Sequence, residues 1–148
     1  MKRILLPVLS LLALPCSAVE LVVGKPKTEH VSEPFSIDFD SKGAMFGVEF
    51  TKSNRIFKFE GDKLSFIAGV QHNAEDKAAA KPTEVNDGAD PMKAVFTGMH
   101  DIQINDGDKA YIGDSFQNRV RLLDLASGHV STIAGTGKSG FSGDGGPA

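Results

Sequence analysis

The residues best suited to chemistry in this sequence are His100 and the neighbouring Asp101. An imidazole can contact a ligand, ligate a metal ion or act as a general base near neutral pH. Both residues are therefore candidate ligand-binding residues. The alternative is that His100 is a hydrogen-bonded structural histidine, the more ordinary role of a partly buried imidazole.

Six further polar residues form two matching sets. In each half of the chain an acid precedes a polar turn, and an Asn-Arg pair follows that turn. The six are Glu49, Asn54, Arg55, Asp114, Asn118 and Arg119. The favoured interpretation is structural: the acid and the Asn tie the turn, and the Arg pairs nearby, contributing about 0–1 kcal/mol if exposed. The alternative is contact with a ligand at the rim of the fold.

Two nucleotide-binding motifs are matched only formally. Residues 135–140 satisfy the pattern G-x-G-x-x-G, and residues 137–139 read Gly-Lys-Ser. A phosphate site needs a helix N-terminus after its glycines, but here more glycines and Pro147 follow. The earlier glycine of a P-loop is replaced by Thr132. The sequence contains no nucleophile elbow, HExxH motif or EF-hand loop, so it offers no catalytic constellation.

The candidate residues lie within a repeated series of strands. Residues 35–40 and 100–105 both alternate apolar and polar positions, which is the period of a half-buried strand. Each is followed by a hairpin turn rich in Asp, Asn and Gly, and then by a second strand. A third strand follows each Asn-Arg pair, and a fourth ends each copy. The sequence therefore predicts an all-β fold with two four-stranded antiparallel meanders.

Two such sheets, apolar on both faces, call for stacking around an axis, as in a β-propeller. We expect a first blade at about 33–70, a second at about 97–137, and an inter-blade linker at 138–148. Residues 71–96 read as an insertion and linker on the surface. Both outer blade faces would then lack a neighbour, so two blades alone should be marginally stable or prone to aggregate.

The N-terminal residues predict export. Lys2 and Arg3 precede an apolar run, and small residues follow at positions 16–18, so residues 1–18 read as a signal peptide. The mature chain, residues 19–148, is then periplasmic or secreted, with no membrane span. Cys16 is the only cysteine, so the mature chain would contain neither disulfides nor Cys ligands. A lipid anchor on Cys16 stays open.

The second copy resembles one NHL repeat. The similar segments are residues 101–105, 111–114, 118–121 and 133–137, and the tail 140–148 is similar to the linker between such repeats in exported bacterial proteins. The first copy is more diverged. The resemblance covers roughly residues 33–148 and implies an NHL/TolB-like β-propeller, six-bladed when complete. By this comparison the chain reads as an N-terminal fragment of such a protein.

The resemblance implies a rigid binding platform. We therefore expect a non-enzymatic scaffold that binds a protein, peptide or glycan and takes no cofactor. The alternative is a metal-dependent lyase or lactonase, like a few similar propellers, using Ca²⁺ or Zn²⁺ at a channel site completed by further blades. A third hypothesis is that two-blade chains assemble into a closed ring. The formal net charge of −3, without a basic stripe, argues against nucleic acid as a partner.

Overall fold

A computed structural model describes residues 30–73, 86–141 and 143–146, which form two four-stranded antiparallel sheets. The predicted signal peptide, Cys16 and residues 74–85 of the predicted insertion lie outside these ranges. Within the described ranges, no helix is long and apolar enough to span a membrane.

Each sheet is a simple meander in which consecutive strands pair. The first sheet contains β1 (Pro34–Phe39), β2 (Met45–Glu49), β3 (Ile56–Glu60) and β4 (Lys63–Ala68). The second contains β5 (Met99–Asn105), β6 (Lys109–Asp114), β7 (Arg119–Asp124) and β8 (Val130–Ala134). Two short 3₁₀ turns, Pro91–Lys93 and Ser115–Gln117, lie before β5 and after β6. The prediction of two four-stranded antiparallel sheets is confirmed.

The turn between the first and second strands is stabilised in the same way in both sheets. Asp40 Oδ1 accepts hydrogen bonds from the backbone N–H groups two and four residues later, each at 2.9 Å. Asn105 Oδ1 accepts the equivalent pair at 3.0 and 3.1 Å. A side chain that satisfies the turn's own N–H groups fixes the tight connection between the first two strands.

The register repeats as well. Ile37 lies opposite Gly47 in the first sheet, and Ile102 lies opposite Ile112 in the second, so equivalent positions are 65 residues apart. Both first strands also have a register irregularity near their start. The two sheets are therefore copies of one unit in geometry as well as in sequence pattern.

The hydrophobic core lies between the sheets, because buried apolar side chains from both of them form one cluster. Phe46, Val48 and Ile56 come from the first sheet, and Ile102 and Ile112 from the second. The segment before β5 joins them: Ala94, Val95 and Phe96, at the end of the predicted surface insertion, are buried instead. Face-to-face packing removes this apolar area from water, the main stabilising term in the fold.

Polar side chains also connect the two sheets. Ser36 Oγ on β1 donates to Asp101 Oδ1 on β5 at 2.8 Å, and Asp38 Oδ2 accepts from Ile104 N at 2.7 Å. These bonds fix how the first strands of the two sheets lie along each other.

The outer face of each sheet exposes the positions that the inner faces bury. On the first sheet, Ile37 is 50% exposed, whereas its equivalent Ile102 is fully buried between the sheets. On the second sheet, Val120 is 38% exposed, whereas its equivalent Ile56 is fully buried. Each outer face therefore carries the chemistry of a buried sheet-to-sheet interface while it contacts solvent.

Candidate functional site

His100 lies at the start of β5, as predicted, and is surrounded by aromatic rings. Its imidazole centroid is 4.8 Å from that of Phe35, 4.8 Å from that of Phe50 and 5.9 Å from that of Phe116. All three contacts are edge-to-face, an arrangement that the ring quadrupoles favour. We call Phe35, Phe50, His100 and Phe116 the aromatic cluster.

The repeat itself generates the aromatic cluster. Phe35 and His100 occupy equivalent positions at the irregular starts of β1 and β5. Phe50 and Phe116 come from the turns that follow β2 and β6. The backbone N–H of Phe50 donates to Glu33 O at 3.0 Å. The N–H of Phe116 donates to the carbonyl of Thr97, just before β5, at 3.1 Å. Each sheet thus contributes one strand residue and one turn residue.

Gly98 makes room for the outermost ring. A Cβ atom at this position would lie 2.5 Å from the ring of Phe116, closer than two carbon atoms can approach. Gly98 also has φ +63°, a conformation that glycine adopts without a steric penalty. The glycine before β5 therefore allows Phe116 to pack against the backbone.

The cluster is buried in the middle and exposed at its ends. Phe35 is 51% exposed and Phe116 is 55% exposed, while Phe50 and His100 are half-buried. The rings contact one another closely, which leaves no cage between them for a ligand cation. A ligand could instead stack on the exposed faces of Phe35 and Phe116.

The two nitrogen atoms of His100 differ. Nδ1 is buried and has no hydrogen-bond partner within the part of the chain described. A buried lone pair is tolerated better than a buried N–H without an acceptor, so the neutral ring should hold its proton on Nε2. Among the described contacts, aromatic rings surround His100, and its Nδ1 lacks the hydrogen bond expected of a structural histidine. Nε2 is the atom with which it can meet a ligand.

Asp101 serves the contact between the sheets. Its Oδ1 accepts from Ser36 Oγ at 2.8 Å and from the backbone N–H of Ile102 at 3.0 Å. Among the described contacts, none joins the Asp101 carboxylate to the His100 ring. The two neighbouring residues predicted from the sequence therefore have different roles. Asp101 joins the two sheets, and His100 belongs to the aromatic cluster.

In the first sheet, the predicted repeat residues Glu49 and Arg55 stabilise the turn after β2. Glu49 is fully buried, and its carboxylate pairs with Arg55 at 2.8 and 3.2 Å. It also accepts the backbone N–H of Ser32 at 2.6 Å. The Arg55 guanidinium lies 3.4 Å from the ring centroid of Phe66, a cation–π contact. These contacts agree with the structural interpretation of Glu49 and Arg55.

Asn54 links the two sheets. It adopts a left-handed conformation, φ +56°, which asparagine tolerates better than most residues. Its Nδ2 donates to the carbonyls of Thr51 and His72, both at 2.8 Å, and its Oδ1 accepts Gly98 N–H at 2.8 Å. Its equivalent Asn118 has the same conformation, φ +51°, but its side chain is exposed on the outer side of the second sheet.

In the second sheet the acid has a different arginine partner. Asp114 pairs with Arg121 at 3.3 Å, whereas Arg119 donates to the carbonyls of Gln117 and Thr136. Arg121 is fully buried, and also donates to Asp87 at 2.5 Å. Asp114 thus forms its ion pair with Arg121, while the charge of Arg119 also acts to lower the pKa of Asp114. Sequence comparison missed Arg121 because the equivalent residue of the first copy is the apolar Phe57.

Burial raises the pKa of Asp114 to about 6 from its usual 3.8. The backbone N–H of Thr97, 2.7 Å away, and the Arg121 guanidinium both favour the ionised form. Loss of hydration outweighs them, so this carboxyl binds a proton more readily in the folded chain than in water.

A concavity lies between the sheets at the end where the hairpin turns meet. It has a volume of about 420 Å³ and an apolar floor that includes Phe46 and Leu123. Its rim mixes carboxylates, such as Asp40 and Asp124, with Lys58. The mixed charges do not select one class of ligand. Within the described ranges, no group of three or more His, Cys, Asp or Glu side chains could hold a metal ion.

No protein-family profile and no curated protein matches the sequence. Among solved structures, the fold is similar to that of a structural genomics protein of unknown function from Bacteroides thetaiotaomicron VPI-5482. The TM-score is 0.60 at 20% sequence identity, and the match covers 82% of this chain. It spans 29% of the length of that protein. The likeness concerns the fold alone.

Proposed function

We propose that this chain is part of an exported β-propeller of the NHL type, six-bladed when complete, that works as a binding scaffold. Two copies of one four-stranded unit, stacked face to face, support this architecture. The exposed interface chemistry on both outer faces agrees with a stack that continues on both sides. The similar solved structure is also much longer than this chain.

The aromatic cluster is the binding surface in this proposal. The observation that carries it is the combination of two exposed phenyl faces with an imidazole whose Nε2 has no hydrogen-bond partner among the described residues. Exposed aromatic side chains that are grouped on one surface often mark interaction sites. The surface lies where β1 and β5 begin, next to the turns that follow β2 and β6.

The shape of the cluster favours a ligand with flat apolar faces and a hydrogen-bond acceptor. A protein loop, a peptide or a glycan meets both conditions, because each combines CH-rich faces with carbonyl or hydroxyl oxygens. Phe35 and Phe116 would stack on the ligand, and the N–H at Nε2 of His100 would donate to the acceptor. The role of these residues is recognition and not catalysis.

The experiment is a binding screen of the chain against a peptide library and a glycan array. The best binder is then titrated against Phe116→Ala, His100→Ala and Phe141→Ala. Phe141 is the matched control, because it is 88% exposed and lies in the tail, outside the cluster. We expect the first two substitutions to weaken binding at least tenfold. An aromatic side chain that becomes buried against its ligand contributes about 2 kcal/mol to binding.

The control variant should bind as the original chain does. The proposal fails if binding is unaffected by both cluster substitutions, or if Phe141→Ala weakens it equally. The first result would place recognition on another surface. The second would show nonspecific adhesion through exposed phenyl rings.

A further inference from the structure

The placement of Phe116, the exposed end of the aromatic cluster, depends on the residue before Gly98. The carbonyl of Thr97 accepts the backbone N–H of Phe116 at 3.1 Å, and its hydroxyl accepts Nε2 of Gln117 at 3.0 Å. Gly98 then provides the space in which the Phe116 ring packs. A shift of Thr97 would therefore move this ring relative to the rest of the cluster.

Two charged side chains of the second sheet, both fully buried, hold the backbone around Thr97. Asp114, at the end of β6, accepts the N–H of Thr97 at 2.7 Å through Oδ1. Arg121, on β7, donates from Nη1 to the carbonyl of Val95 at 3.0 Å. Its guanidinium also lies 4.9 Å from the ring centroid of Phe96, a cation–π contact. The segment before β5 is thus fixed by an acid and a base of the same sheet.

The acid and the base also form an ion pair. Asp114 Oδ2 accepts from Arg121 Nη1 at 3.3 Å, while Oδ1 accepts from Thr97. Both oxygens therefore face donors, as an ionised carboxylate allows. A proton on either oxygen would face an N–H instead of an acceptor, so one hydrogen bond would break and the other would lose its charge. Protonation of Asp114 therefore loosens its hold on this segment.

The arginine contact is specific to the sheet whose turn ring is exposed. In the first sheet Glu49 accepts the equivalent N–H, that of Ser32, so the bond at the start of the strand is shared by both repeats. The position of Arg121 is occupied there by Phe57. The second sheet thus adds Arg121 to the common arrangement, next to the segment that places Phe116.

We infer that Asp114 and Arg121 are positioning residues for the aromatic cluster, and that Asp114 is a proton-sensitive clamp on Thr97. When ionised, it holds Thr97, and with it Phe116, in the arrangement described; when protonated, it lets both move. The clamp acts within the chain, whereas its consequence for ligand binding rests on the proposed function. Binding through Phe116 is then stronger when Asp114 is ionised.

The charges around Asp114 allow this change without unfolding. Burial raises its pKa to about 6, against the N–H of Thr97 and the charges of Arg121 and Arg119, which lower it. On the other side of the Arg121 guanidinium, Asp87 accepts from it at 2.5 Å. The buried guanidinium therefore keeps one counter-ion when Asp114 is neutral.

Two imidazoles can also bind protons as the pH falls. Nε2 of His72 lies 2.6 Å from the carbonyl of Phe96, in the same segment, and His100 belongs to the cluster itself. A His100→Phe chain removes the second imidazole and keeps a ring there, because phenylalanine occupies the equivalent position of the first sheet.

The test follows the Phe116 ring directly. In the whole chain with His100→Phe, para-fluorophenylalanine replaces Phe116 alone, and its fluorine NMR shift is recorded from about pH 4.5 to 8. We expect one step with a midpoint at about pH 6, from the ionisation of Asp114. Asp114→Asn, which imitates the neutral carboxyl, should remove the step and give a shift close to that of the protonated chain. The matched control Asp62→Asn, in the exposed turn between β3 and β4, should keep the step.

Arg121→Met tests the second positioning residue. Without the guanidinium less opposes the effect of burial, so the midpoint should rise by at least about one pH unit. Circular dichroism shows that each variant keeps its sheets. The absence of a step in the His100→Phe chain would overturn the inference, and so would a step that persists in Asp114→Asn, which would assign the response to His72. An unchanged midpoint in Arg121→Met would remove Arg121 from the clamp.

Binding separates this inference from the proposed function. The best binder from the peptide and glycan screen is titrated at about pH 5 and 7.5. We expect the dissociation constant to rise at the lower pH by at least about fivefold more in the original chain than in Asp114→Asn. A fluorine step without any binder would support the clamp and count against the proposed function. Binding without a step, and with the same pH dependence in Asp114→Asn, would overturn the clamp and leave the proposed function intact.

Discussion

Replacing Asn54 and Asn118 by alanine compares the same type of side chain at two equivalent positions. Asn54 lies between the two packed sheets, and Asn118 lies on a face exposed to solvent. Asn54→Ala removes three hydrogen bonds of 2.8 Å from a fully buried site. At about 1 kcal/mol each, these bonds contribute about 3 kcal/mol to the free energy of unfolding. Both substitutions also place alanine in a left-handed conformation, which costs roughly 1 kcal/mol.

We therefore expect Asn54→Ala to lower the free energy of unfolding by about 4 kcal/mol and Asn118→Ala by about 1 kcal/mol. The assay is urea unfolding followed by circular dichroism at low protein concentration. A fixed concentration of trimethylamine N-oxide keeps the less stable variant folded. Equal losses for the two variants would refute the view that Asn54 joins two packed sheets while Asn118 faces solvent.

Three further predictions concern the cluster, the buried acid and metals. Gly98→Ala should be more destabilising, by thermal unfolding, than Gly61→Ala; both glycines have φ +63°, but only Gly98 has a ring in the way of a Cβ. Because the pKa of Asp114 is higher in the folded chain than in the unfolded chain, the folded chain binds this proton more tightly between about pH 4 and 6. As pH rises through that range, the contribution of Asp114 to the free energy of unfolding therefore falls, by at most about 3 kcal/mol. Urea unfolding across that range should show the fall in the original chain and a smaller one in Asp114→Asn; identical pH profiles would disprove it. Neither Ca²⁺ nor Zn²⁺ should raise the thermal midpoint of the chain, whereas a clear rise would favour the metal-dependent alternative.

The sheets could be predicted from the sequence because their signals are local. Alternating apolar residues in 35–40 and 100–105, followed by turn residues, fix both strand and hairpin. Asp40 and Asn105 then make the same turn contacts in both copies. Ile37 and Val120, on the outer faces of the two sheets, are 50% and 38% exposed.

The candidate site was predicted only in part, because it depends on contacts between sheets. His100 was selected, but the rings of Phe50 and Phe116 come from turns of unequal length, which obscured their equivalence. Arg121 was missed since the matching position of the first copy holds Phe57. Its role depends on Asp87, which is far from it in sequence. Comparison of the two repeats identifies residues that both copies share, but not a residue such as Arg121 that occurs in one copy alone.

The thermal midpoint of the chain, measured as a function of protein concentration, most directly tests whether two stacked sheets leave both outer faces exposed to solvent. Association through the exposed outer faces would stabilise the folded chain by mass action, by about 2.7 kcal/mol at one hundred times the dissociation constant. We therefore expect a broad, low transition in dilute solution and a midpoint that rises by roughly 10 °C as the concentration increases a hundredfold. A sharp cooperative transition with the same midpoint at every concentration would contradict the account, since it would show that two sheets are complete by themselves.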